Sequence, residues 1–389
     1  MKKFTAILLA MILTFSVMVT ASAQTDSTKK LQFDADGNFR IMQISDIQDG
    51  TLLTPATKTY LKDVVAYAEP DLIVLTGDNI SAGSATLGTK AVDLLLVETA
   101  INNFMSVFEE LGVPVAVTFG NHDAEEIVTK EEQMEIYMSY DNCIAIDEGD
   151  ALYGCGTYNV PIYSSTDSEK MAYNLWMIDS NMYDEENGGY DYVHEDQIDW
   201  YVNKSNELKA QNGGEPVPSM MFQHIIVPEI YDALVEIPNV TSISYEHNGK
   251  HYVLDPETTR AGQLCESPCP SETNSGQFDA VVNQGDVVAM FFGHDHKNTF
   301  EIAHRGVDLI NTPTAGFGSY GDEVRGVRII DLKEGTRDYE TFIISYLDFY
   351  ADNEYMIAQY DLYANESSVG EVIVAFFKTI FAGIAILFK

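Results

Sequence analysis

Phe39-Arg40-Ile41-Met42-Gln43-Ile44-Ser45-Asp46-Ile47-Gln48-Asp49 is the stretch on which the fold turns. It begins as a short apolar run of strand character and ends abruptly in polar side chains that can hold a metal. The same pattern recurs along the chain. Residues 71–76 lead into Gly77-Asp78, and 113–119 into Gly120-Asn121-His122-Asp123. Residues 219–223 lead into His224, and 287–292 into Gly293-His294-Asp295-His296. A further buried strand is expected at 172–178, with helical periodicity over 57–68, 89–111, 129–140 and 194–210. The third helix opens on a Thr129-x-x-Glu132 capping signature. Strands alternating with helices predict an α/β (α+β) architecture. In such sheets the carboxyl ends of the strands form the ligand crevice, so five strand ends would deliver their polar residues to one place.

Each motif alone has a plainer explanation. A strand-end Asp can cap a helix, Gly-Asp is a common turn, and a lone His is usually a packed or exposed residue. Their ordered conjunction points instead to a metal site, because Asp, His and Asn side chains gathered without cations to neutralise them would be costly.

In that order the motifs resemble those of the calcineurin-like metallophosphoesterases: D-x-H, G-D, G-N-H-D/E, H and G-H-x-H. The likeness spans residues 39–332. Leu175-Trp-Met-Ile-Asp-Ser180, Gly189-Tyr-Asp-Tyr192 with Gln197-Ile-Asp-Trp200, Phe222-Gln-His-Ile-Ile-Val-Pro-Glu229 and Arg325-Gly-Val-Arg328 are most similar to the purple-acid-phosphatase-related branch. The resemblance implies a four-layer sandwich, two mixed β-sheets flanked by helices, with two metal ions at the sheets' edge. It makes Asp78 the carboxylate shared by both metals. Asp46, Gln48 and His296 would complete the first site, and Asn121, His224 and His294 the second. It further implies a hydroxide between the metals as nucleophile, His122 as the group that stabilises or protonates the leaving oxygen, and Asp123 as the residue that orients the His122 ring. The donor types suit Mn, Fe or Zn.

Two departures bear on that expectation. The usual His of the first motif is Gln48, whose neutral amide is a weaker partner for a transition metal than imidazole. The Tyr expected three residues after the bridging Asp is Ser81, so no tyrosinate colour is predicted. Asp49, one step along, would point the other way.

The expected activity is metal-dependent hydrolysis of small phosphate monoesters, with diesters as a second substrate class. The alternative is a non-catalytic surface binding or scaffold protein on a degenerate phosphatase fold. The 389 residues carry 22 Lys plus Arg against 60 Asp plus Glu, a formal charge of -38. That balance argues against nucleic-acid partners, which need a broad basic surface.

The two ends read differently from the middle. Residues 1–23 show a basic start, an apolar run and Ala21-Ser22-Ala23, the pattern of a cleaved export signal, with an uncleaved anchor as the rival reading. A secreted or cell-surface protein follows, with residues 24–350 as the phosphoesterase domain. The extension 351–389 ends in an apolar run over 371–389, where Glu371, Lys378 and Lys389 fall within about 20° on a helical wheel. Such a helix would lie on a membrane interface or a partner, or pack on the protein's own core.

Cys143 with Cys155 and Cys265 with Cys269 are the expected disulfides, with a zinc site as the weaker alternative. Residues 241–276 read as a long surface insertion and 316–321 as a loop near the site. Tyr190, Tyr192 and Trp200 read as packing residues, and His194, His247, His251 and His304 as solvent-exposed. Arg325 and Arg328 read either as phosphate holders or as salt-bridge partners.

Overall fold

Alternation along single strands shows how the layers form. In the strand Met171–Met177, Leu175 and Met177 enter one hydrophobic core, while Trp176 and the following Ile178 enter another. Successive side chains of a strand point to opposite faces, so a sheet covered on both sides feeds two cores. The computed structural model describes residues 30–51, 53–81, 89–125, 127–146 and 151–364; the export-signal reading of 1–23 and the apolar run 371–389 lie outside them.

The first sheet is built on β1 (Asn38–Ile44), β2 (Leu72–Thr76) and β3 (Val115–Thr118), which run parallel. The second takes β4 (Tyr158–Tyr163), β5 (Met171–Met177), β6 (Ser219–Phe222), β10 (Thr259–Ala261), β11 (Val287–Phe292), β12 (Glu301–His304) and β13 (Val307–Asn311). The chain then returns to the first sheet through β14 (Gly326–Lys333) and β15 (Tyr339–Ser345), giving the order β15-β14-β1-β2-β3. β14 runs antiparallel to β1; in the seven-stranded order β10-β12-β13-β11-β6-β5-β4, β12 and β4 run against the parallel β13, β11, β6 and β5, and β10 pairs antiparallel with β12, so both sheets are mixed.

Helices α1 (Pro55–Ala68) and α2 (Lys90–Leu111) add Tyr60, Leu61, Val64, Ile101, Phe104 and Phe108 to the first core, which also holds residues of both sheets. On the far face of the second sheet, α4 (Glu195–Gln211) and α5 (Gln277–Gln284) bury Tyr201, Leu208, Phe278 and Val281 in the second core. Helix, sheet, sheet, helix is the four-layer arrangement expected. α3 (Lys130–Met138) opens with the anticipated capping box: Thr129 accepts from the Glu132 amide at 3.3 Å, and Glu132 accepts from the Thr129 amide at 3.1 Å.

Arg328 fastens the two sheets. It is fully buried on β14 and donates to Glu301 Oε1 at 2.7 Å, Thr312 Oγ1 at 3.0 Å, and the Thr299 and Asn311 carbonyls at 3.1 and 2.9 Å. Its role is structural, and truncating it would leave Glu301 without its cationic partner at a cost of about 3–5 kcal/mol.

The structure corrects several sequence expectations. The four cysteines form no disulfide. Cys265 Sγ faces Gln263 Oε1 and Cys269 Sγ faces the Ser267 carbonyl, while the Cys155 amide is held by Asp179. Within the expected insertion 241–276, β8 (Tyr245–His247) and β9 (Lys250–Leu254) pair with the preceding β7 (Leu234–Ile237) in a small three-stranded sheet, and β10 joins the second sheet. The four histidines are not solvent-exposed. All are half-buried; His194 stacks between Tyr153 and Tyr192, His247 on Tyr231 and His304 on Phe278. The extension begins by packing on the core: in helix α6 (Glu354–Tyr363), Met356 and Tyr360 are buried, the latter beside Phe317.

Candidate metal centre

Strand ends bring the polar residues together, and the backbone there is strained. Asp46, Gln48, Asp78 and His294 all have positive φ, at 53°, 42°, 48° and 66°. A non-glycine residue held in that left-handed region costs about 1–3 kcal/mol and persists only where the surroundings enforce it. The neighbouring glycines show why space is tight. A Cβ on Gly120 would strike the Asp78 carboxylate, and one on Gly293 would strike Ser45 and Asp46.

Two buried clusters result, each with its ligand atoms within 4.8 Å of one another. Asp78, His224 and His294 form one; Asp46, Asp78 and His296 form the other. Asp78 belongs to both. Its Oδ2 lies 3.1 Å from His224 Nε2, while Oδ1 accepts from the His122 amide at 2.8 Å. Asp46 Oδ1 lies 3.2 Å from His296 Nε2 and 3.9 Å from His224 Nε2. Asp46 Oδ2 accepts from Ser45 Oγ at 2.5 Å and from the His294 amide at 3.1 Å.

Both imidazoles that face carboxylates are fixed from behind. His224 Nδ1 donates to the Thr76 carbonyl at 2.9 Å, and His296 Nδ1 to the Tyr320 carbonyl at 2.9 Å, so each turns Nε2 into the site. This is the arrangement by which proteins present a histidine to a metal. The loop 316–321 does lie at the site, since it supplies that Tyr320 carbonyl and runs beside the backbone of residues 45–46.

The donor set fits cations by its own chemistry. Asn121 Oδ1 is buried without a hydrogen-bond partner, although buried polar atoms are normally satisfied, and the buried Asp46 Oδ1 and His224 Nε2 meet only the facing charged groups of the site. Protons do the neutralising in the metal-free protein. Burial, which favours the neutral ring, is outweighed by the Asp78 and Asp46 carboxylates, and His224 is pushed up to about 10. His296 is raised against burial by Asp46. Burial and the positive His224 push His294 down to about 3, leaving its ring neutral. A cation that displaces the His224 proton would answer the same need.

Three expected roles look different in atomic detail. Gln48, expected to offer an amide oxygen to the first metal, directs its amide Nε2 to Asp78 Oδ2 at 3.0 Å. Asp123, expected to orient the His122 ring, accepts instead from the backbone amides of Gly120, Asn79 and Ile80 at 2.9, 2.9 and 3.2 Å. Burial and the Asp78 charge push its carboxyl up to about 7. The ring of His122 is held by Glu125, with Nδ1 2.8 Å from Oε2, and its Nε2 stands 4.0 Å from Asp78 Oδ2. Asp49 turns toward Thr54 Oγ1, 2.8 Å away at the start of α1.

Sequence reasoning did not identify Glu125, and only its place three residues after His122 could have signalled it. Tyr190, read as a packing residue, packs edge-on against His294, with ring centroids 4.4 Å apart. Arg325 is buried over the Phe317 ring and donates to the Ser319 carbonyl.

A fold of two mixed sheets with a carboxylate shared between two acid-imidazole clusters defines a metallophosphoesterase architecture. Residues 39–298 match the family model for calcineurin-like phosphoesterases, and the chain belongs to that family. Two Arabidopsis thaliana proteins are similar along most of their length. The one named probable inactive purple acid phosphatase 14 is 29% identical over 341 residues, 78% of each chain. The one named probable inactive purple acid phosphatase 29 is 27% identical over 322 residues, 76% of this chain and 77% of its own. Among solved structures, a dimetal phosphatase from Danio rerio aligns with a TM-score of 0.48 at 13% identity, covering 79% of this chain and 99% of that one.

Proposed function

We propose that the protein is an exported, dinuclear-metal-dependent phosphoesterase that hydrolyses small phosphate monoesters, with diesters as a second class. The observation that carries this reading is the pair of buried clusters sharing Asp78, in which Asp46, Asp78, His224, His294 and His296 bring their ligand atoms together. Asp78, Asn121, His224 and His294 would hold one cation, and Asp78, Asp46 and His296 the other. Cations bound there would supply Lewis-acid activation of the ester and of the attacking water. The chain's own residues do the rest. Thr76 and Tyr320 hold the imidazoles in register through their carbonyls, and the His122 amide fixes Asp78. His122, with its side chain 36% exposed at the rim, can reach a leaving oxygen and donate a proton from Nε2. Export rests on the pattern of residues 1–23.

A second reading, a binding or scaffold protein without turnover, is favoured by Gln48. It occupies the position of a metal-binding imidazole, and its amide is spent on Asp78. The word "inactive" in the names of both plant relatives points the same way. One assay separates the two. Protein comprising residues 24–389 is stripped of metal, reloaded with Mn, Zn or Fe, and offered a chromogenic phosphomonoester and the matching diester. Metal-restored turnover supports the enzyme; a folded protein inert with every metal supports the binding protein.

A further inference from the structure

His122 is held by a brace that reaches across two loops. The 3-10 turn Asp123–Glu125 carries Glu125 back beside the ring, where Oε2 meets His122 Nδ1 at 2.8 Å. An exposed pair three residues apart is worth little by itself. The other carboxylate oxygen, however, is also taken. Tyr183, from the loop after β5, donates its hydroxyl to Glu125 Oε1 at 2.6 Å. Tyr183 is fixed in turn. Its ring stacks on Tyr190 at 5.7 Å and 24°, the two residues are joined by a backbone bridge, and Tyr190 stands edge-on to His294. The chain of contacts runs Tyr190, Tyr183, Glu125, His122, and it starts and ends at the centre.

We propose that Glu125 and Tyr183 are positioning residues for His122. Glu125 keeps a proton on Nδ1 and aims Nε2 at the leaving oxygen, and Tyr183 keeps Glu125 in place. The inference rests on the phosphoester reading for its chemical consequence. In the step it serves, water oxygen bonds to phosphorus and the phosphorus–oxygen bond to the leaving group breaks. His122 Nε2–H passes its proton to that departing oxygen, water's surplus proton goes to solvent, and the ring then regains a proton from solvent. The products are an alcohol and phosphate.

A leaving group that departs easily needs little help from a proton, whereas a poor one needs it. In metal-loaded protein, Glu125→Ala is expected to lower kcat on an alkyl phosphate about 100-fold and to leave p-nitrophenyl phosphate within a few-fold, with KM little changed. Glu125→Gln, whose amide oxygen still accepts from Nδ1, should recover much of the loss. Tyr183→Phe should show the same bias, more weakly. Equal losses on both esters, or none on either, would overturn the assignment.

A second measurement needs neither metal nor turnover. Ring nitrogen-15 shifts of neutral His122 in the metal-free full chain should report the Nδ1–H tautomer in the wild type and a mixture in Glu125→Ala. A wild-type ring protonated on Nε2 alone, or a tautomer that Glu125→Ala leaves unchanged, would sink the brace. If the brace passes this test while wild-type protein turns over no ester with any metal, the positioning role in catalysis falls together with the phosphoester reading. Should Glu125→Ala fail to fold, Tyr183→Phe carries both measurements, since it removes one rim hydroxyl.

Discussion

The two halves of the centre share Asp78 and differ in what else they offer. On the His224 side, two imidazoles join the shared carboxylate, and a backbone carbonyl tethers the His224 ring. On the His296 side, a tethered ring and the Asp46 carboxylate are present, but the next position is filled by Gln48, which gives its amide nitrogen to Asp78. Both halves are buried and strained, so the scaffold has kept its architecture on each side. In the proposed assignment Asn121 adds a fourth donor on the His224 side, against three donors on the His296 side. That assignment predicts a lopsided centre, with one cation held tightly and the other loosely.

The most severe way to break this picture is to remove what the halves share. Asp78→Ala should cost about 10³-fold or more in metal-restored turnover while circular dichroism remains that of the wild type; unchanged turnover would end the dinuclear account. Removing one imidazole from each side sharpens the contrast. His224→Ala should weaken the tightly held cation about 100-fold or more, whereas His296→Ala should leave it bound, as metal analysis after gel filtration would show. Equal losses would mean that the two halves are equivalent.

Gln48→His probes the weak side directly. It should tighten the cation on the His296 side about tenfold and raise turnover; no gain in either would show that position 48 is not what limits the site. The smallest effect is a single proton. Because His224 is pushed up to about 10 in the metal-free protein, it carries its proton on Nε2 at pH 8. Filling the tight site there should release about one proton, measurable in weakly buffered solution. Release that is unchanged in His224→Ala would contradict the assignment.

The sequence made the site more legible than its refinement. Strand ends are visible as apolar runs broken by polar side chains, so the positions of Asp46, Asp78, Asn121, His224, His294 and His296 could be read directly. What could not be read was which neighbour each side chain chooses. Asp123 and Glu125 are both acids beside His122. Only the turn geometry decides that Asp123 is consumed by three amides and Glu125 takes the ring. Tyr183 lies 58 residues from Glu125 in sequence, and nothing local marks it as a partner. The insertion was opaque for a related reason. β7, β8 and β9 are short, partly exposed strands whose apolar alternation is too weak to stand out from a polar loop.

The central claim, a shared carboxylate serving one strong and one weak cation site, is tested most directly by calorimetric titration of metal-stripped protein with Mn or Zn. The account predicts two cations per chain in two resolved classes, with the tight class abolished by His224→Ala and the weak class strengthened by Gln48→His. Two indistinguishable sites, or no uptake by a folded protein, would contradict it.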